Sequence, residues 1–79
     1  MKGGKKSMKF TVFKGAFPNF VEEVVLEFEA LDGYQALLRL EEEGYRVDPV
    51  RLIRSVYLDG YVYVDFGDWN YFLSYKQDQ

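Results

Sequence analysis

A chain of 79 residues without histidine or cysteine offers no disulfide framework, no cysteine-based zinc site and no Ser–His or Cys–His pair for nucleophilic catalysis. Its net charge of −3 is unevenly spread: residues 1–9 hold four lysines and no acid, while the rest sets six basic residues against all 13 acids. That acidic body repels nucleic acid.

Residues 1–8 read as a basic, flexible lead or a non-native leader, residues 9–76 as one domain and residues 77–79 as its end. Gly3-Gly4-Lys5-Lys6-Ser7 has no room before it for the strand and first glycine of a phosphate-binding loop. No run is long and apolar enough for a signal peptide or a membrane helix, and the lack of cysteine fits the reducing cytoplasm. A domain this short buries only about 60% of its unfolded surface. Seven Tyr, seven Phe and one Trp supply the bulk that such a core needs.

Lys9–Ala16 alternates as a first strand, with Phe10 and Val12 on one face and Thr11 and Phe13 on the other. Phe17-Pro18-Asn19-Phe20 is a turn, its proline presetting φ. Val21–Ala30 is a second strand. Val24, Leu26, Phe28 and Ala30 point one way; Glu23, Val25, Glu27 and Glu29 point the other. Helix competes there, but period-two alternation and the Val-Val pair favour strand.

A helix is expected over Gly33–Glu43. Asp32 sits at its N-cap with Gln35 three residues on, and Gly44 is placed to end it in the left-handed conformation. Ala36, Leu37 and Leu40 form its buried stripe, flanked by Tyr34 and Leu38. Pro49 then holds Asp48 extended at the start of the last region.

The last region, Val50–Tyr75, reads as a three-stranded meander. Asp59-Gly60 suits a type I′ turn, pairing Leu58 with Tyr61 and Tyr57 with Val62. Gly67-Asp68 suits a second two-residue turn, pairing Phe66 with Trp69, Val64 with Tyr71 and Val62 with Leu73. One face then carries Ile53, Ser55, Tyr57, Val62, Val64, Phe66, Trp69, Tyr71, Leu73 and Tyr75, and is the core face. The other carries Leu52, Arg54, Val56, Leu58, Tyr61, Tyr63, Asp65, Asn70, Phe72 and Ser74, with Arg54 opposite Asp65 as an ion pair. That face is too apolar for open water, so either the N-terminal segment covers it or it meets a partner. The whole is an α+β domain in the order ββαβββ, one helix packed on a mostly antiparallel sheet.

No constellation suggests catalysis, a cofactor or a metal. Asp59, Asp65 and Asp68 lack the spacing of a calcium loop, and two of them stand at turns. The acids are the stronger signal. Glu41, Glu42 and Glu43 crowd the last helical turn, where the dipole disfavours each by about 0.3–1 kcal/mol, with Arg39 as partial offset. Glu23, Glu27 and Glu29 form a second row. The expected function is therefore a non-enzymatic, acidic protein-binding module whose partner has a basic surface. Tyr61, Tyr63, Phe72 and Leu58 are the expected anchors; Glu41, Glu42, Glu43, Glu27 and Glu29 steer the approach.

Size, charge and element order are similar to those of small phage or mobile-element proteins that block or redirect a nucleic-acid-handling host machine, anti-CRISPR and anti-restriction inhibitors among them. Two alternatives stand beside this reading: a homodimeric assembly protein joined through the outer face, and a single-strand binder stacking bases on Tyr61, Tyr63 and Phe72. No membrane partner is expected.

Overall fold

The strand patterns make a single sheet in which β-forming segments lie between others, so that their backbone edges are paired. The structure, a computed structural model, describes residues 7–15, 23–48 and 55–76. In chain order these form β1 (Met8–Lys14), β2 (Glu23–Ala30), α1 (Gly33–Glu42), β3 (Ser55–Leu58), β4 (Tyr61–Val64) and β5 (Tyr71–Lys76). The strands make one sheet in the order β2-β1-β5-β4-β3, every neighbouring pair antiparallel. This is the α+β arrangement read from the pattern. The expected turn at 17–20, the Arg54–Asp65 pair, the meander's start at 50–54 and most of the basic lead lie outside the described residues.

β1 is an interior strand, paired with β2 on one side and β5 on the other. Phe10 and Val12 are fully buried on the face covered by α1, and join Phe28, Ala36, Leu40, Phe66 and Leu73 in one core. The Phe10 ring stacks on Phe28 at 5.6 Å between centroids and tilts against Tyr75 at 5.4 Å. The N-terminal hairpin therefore widens the sheet instead of lying over its outer face. That outer face has its own aromatic cluster: Phe13 stacks on Phe72 at 5.2 Å, and Tyr63 tilts against both at 6.4 and 6.1 Å.

β1 and β2 pair in register from Met8↔Ala30 to Val12↔Leu26, then slip so that Phe13 faces Val24. Val25 is the extra residue of this bulge. The slip turns Val24 onto the face of Phe13, against the expectation that it would share the face of Leu26 and Phe28.

The helix ends follow the local chemistry. The Gln35 amide donates to Asp32 Oδ1 at 2.9 Å, satisfying a free N–H of the first turn. At the other end Gly44 has φ +95°, its amide donates to the Glu41 carbonyl at 3.0 Å, and the Tyr45 amide donates to the Leu40 carbonyl at 3.0 Å. These two bonds form a Schellman close. The Tyr45 ring then sets its edge against Tyr71 at 4.9 Å and Phe66 at 6.1 Å, fastening the helix end to the sheet.

Asp59 and Gly60 both have positive φ, 54° and 83°, as a type I′ turn requires, and the β3–β4 register is the expected one. The second hairpin differs. Val64 pairs with Leu73 and Val62 with Tyr75, two residues from the expected register, and residues 65–70 form a wider loop. Two Asx turns hold it: Asp65 Oδ1 accepts from the Gly67 amide at 2.9 Å, and Asp68 Oδ1 accepts from the Asn70 amide at 3.0 Å. The loop is also tied to the segment after the helix. The Asp48 amide donates to the Phe66 carbonyl at 2.7 Å, and the Arg46 amide to Asp68 Oδ2 at 3.1 Å. Phe66 is fully buried by this, while Trp69, expected on the core face, is 70% exposed.

Candidate functional site

The expected contact residues separate onto two edges of the sheet. Phe72 is 1% exposed, because β1 lands beside β5 and lays Phe13 over it. This corrects its place among the anchors: it is a structural ring of the outer cluster. Tyr63 is half-buried beside it. Leu58 (45% exposed) and Tyr61 (42% exposed) face each other across the Asp59-Gly60 turn and remain open. With Tyr57, 63% exposed on the opposite face, they make an aromatic margin at the β3–β4 side.

The acids gather at the other side. Glu27 and Glu29 stand on β2, the outermost strand there, and Glu41, Glu42 and Glu43 at the end of α1. Glu27 reaches the outer-face depression that Tyr61 also lines, while Glu29 and Glu42 line a separate groove beside α1. The β2 acids are opposed by β1: Lys9 lies opposite Glu29 and Lys14 opposite Glu23 in the register. Lys9 Nζ reaches Glu27 Oε1 at 3.7 Å, and Ser7 Oγ donates to Glu29 Oε1 at 2.9 Å. Cross-strand pairing of this kind fixes register as well as charge.

The helix acids are less compensated. Arg39 Nε donates to Glu43 Oε2 at 3.0 Å, and its guanidinium lies over the Phe28 ring at 5.2 Å. Arg39 is thereby held toward the core and toward Glu43. Among the described residues no cation pairs with Glu41 or Glu42. Both sit at the negative end of the helix dipole, which strengthens attraction for an incoming cation.

Between β2 and α1 runs an open groove of about 310 Å³. Ala30, Leu31 and Leu38 supply its apolar lining, with Glu29, Glu42, Gln35 and Arg39 around them. Leu31 and Leu38 are exposed. Sequence reasoning named Glu29 and Glu42 but not this groove, nor the role of Leu31. The sequence pattern places Leu38 at the flank of the helix stripe, and a leucine there beside an edge strand, left 38% exposed, is the signal of the groove.

A second depression, of about 290 Å³, lies on the outer face and brings Lys9 and Lys76 beside Tyr61, Thr11 and Glu27. The phenol of Tyr45 has its pKa raised, first by burial and then by Tyr71, Glu43 and Asp68. Among the described residues no group of three or more acids could hold a metal ion, and no helix is long and apolar enough to cross a membrane. Compared with family models, curated proteins and solved structures, the chain matches none of them.

Proposed function

We propose that this chain is a non-enzymatic protein-binding module that receives a Lys/Arg-rich segment of its partner along the β2–α1 groove. The observation that carries this reading is the groove's make-up: an apolar lining of Ala30, Leu31 and Leu38 bordered by Glu29 and Glu42. Lysine and arginine have long aliphatic stems and charged heads. Their stems lie on Leu31 and Leu38 while the heads reach Glu42 and the acidic end of α1. Proteins that handle nucleic acids carry such basic surfaces, so occupation of one by this module would compete with their nucleic acid. That is the action of a small inhibitor or regulator of the phage or mobile-element type.

The test is fluorescence anisotropy with a labelled Lys/Arg-rich peptide, run at low and high salt. Binding should weaken with salt, weaken further in Glu42→Gln, and fall in Leu38→Ser without a change in salt slope. Binding that neither change affects refutes the groove as the site. A second reading rests on the outer-face depression, where Tyr61 stands beside Lys9 and Lys76: stacking of a single-stranded nucleic acid. A labelled oligonucleotide in the same assay, with Tyr61→Ser and Lys76→Ala as variants, separates the two.

A further inference from the structure

We infer that the β3 edge is an interface for a second copy of this chain, joined strand to strand into one continuous sheet. The two outermost strands of the sheet differ in what natural edges use to prevent such pairing. β2 carries Glu23, Glu27 and Glu29 and a bulge at Val25, all devices that discourage another strand. β3 reads Ser-Val-Tyr-Leu, carries no charge and pairs in regular register with β4 alone among the described residues.

The geometry selects the register of the pairing. Leu58 and Tyr61 flank the two-residue turn, so their backbone groups bond to each other across the hairpin. Alternation then directs the N–H and C=O of Val56 to β4 as well, and those of Tyr57 and Ser55 to the open edge. A two-fold axis perpendicular to the sheet, passing beside Tyr57, pairs Tyr57 with its own copy. Both of its outward groups are used in that pair, and Val56 meets the other copy's Leu58 on the outer face. Cross-strand aromatic and β-branched pairs of this sort favour the contact.

Charge explains why a second copy fits here and not at β2. Two β2 edges brought together would set glutamates of one copy within about 5 Å of the other's backbone, the strand spacing. At β3 the β2 glutamates of each copy stand four strand spacings from the junction, about 19 Å and roughly two Debye lengths at physiological salt. The acid near the junction is Asp59 of the turn, which falls opposite the uncharged Ser55 of the other copy. The dimer so formed is a ten-stranded sheet, with an acidic groove at each end.

The contact is short, so the association should be weak and visible as a rise in mean mass with concentration. Sedimentation equilibrium on the full chain tests it, with Tyr57→Lys and Tyr57→Glu as variants and circular dichroism as the check on folding. Each variant places like charges at the two-fold axis and should be monomeric; an equimolar mixture of the two should recover the dimer. Wild type that stays monomeric at every concentration overturns the inference. So does a dimer that persists in both variants, or a mixture that stays monomeric while each variant is folded.

Discussion

The two edges of the sheet are both antiparallel strands, but they end in opposite surfaces. β2 is backed by α1, whose Ala36 and Leu40 are fully buried in the core that Phe28 and Phe10 also enter. Its acids are braced by Lys9 and Ser7. β3 is a four-residue strand whose Tyr57 and Leu58 are exposed on opposite faces. The difference teaches that the helix does more than complete the core. By packing beside β2 it creates a wall, and the wall turns a plain strand edge into a groove with polar borders.

Substitutions at the two edges should therefore differ most in stability. Leu40→Ala should cost about 2–5 kcal/mol, since it empties a fully buried site under β2. Tyr57→Ala should stay within about 0.5 kcal/mol. Urea denaturation of both variants makes the comparison, and equal costs would break it.

Gly67→Ala comes next. Its φ is +107° and an added Cβ would lie 2.5 Å from the Asp48 Cβ. Both the strain and the clash act on the loop that buries Phe66, so a loss of about 1–3 kcal/mol is expected in the same assay. Asp32→Ala removes the N-cap acceptor of the Gln35 amide and should cost about 1 kcal/mol. It should also loosen the β2–α1 wall before any other part, read as faster amide exchange over Gly33–Leu37. Uniform acceleration would mean that the helix start is not a separate unit.

Tyr45 offers a pH test. Its phenol titrates above the ordinary value of 10.0, with burial the leading cause. A group that holds its proton more tightly when folded stabilises the fold fully below its unfolded pKa, and that contribution is lost as pH rises through the folded value. Wild type should thus lose stability above about pH 10 more steeply than Tyr45→Phe; parallel curves would contradict this. The smallest effect is expected for Lys9→Ala, whose exposed pair with Glu27 is worth about 0–1 kcal/mol.

The sequence made the helix and the first turn legible because their signals are local. Asp32, Gln35 and Gly44 act within a few residues, and Asp59-Gly60 needs only its own φ values. The second hairpin was legible in face but not in register. A shift of two residues leaves every side chain on the same side, so alternation alone could not show that residues 65–70 form a loop. What fixes it is contact with Asp48 and Arg46, about 20 residues away. Phe72 was misplaced for a related reason. Its burial depends on β1 joining β5, a pairing across most of the chain that no local pattern announces. The candidate site was legible as charges, since Glu29 and Glu42 stand out, but their shared groove exists only because helix and edge strand meet.

The most direct measurement is a two-dimensional amide NMR titration of the full chain with the Lys/Arg-rich peptide, at fixed protein concentration. The groove account predicts shifts concentrated on Glu29–Gln35 and Leu38–Glu42, with Ser55–Tyr61 unmoved. Shifts centred on Tyr61, Lys76 and Lys9, or none at all at saturating peptide, would contradict it.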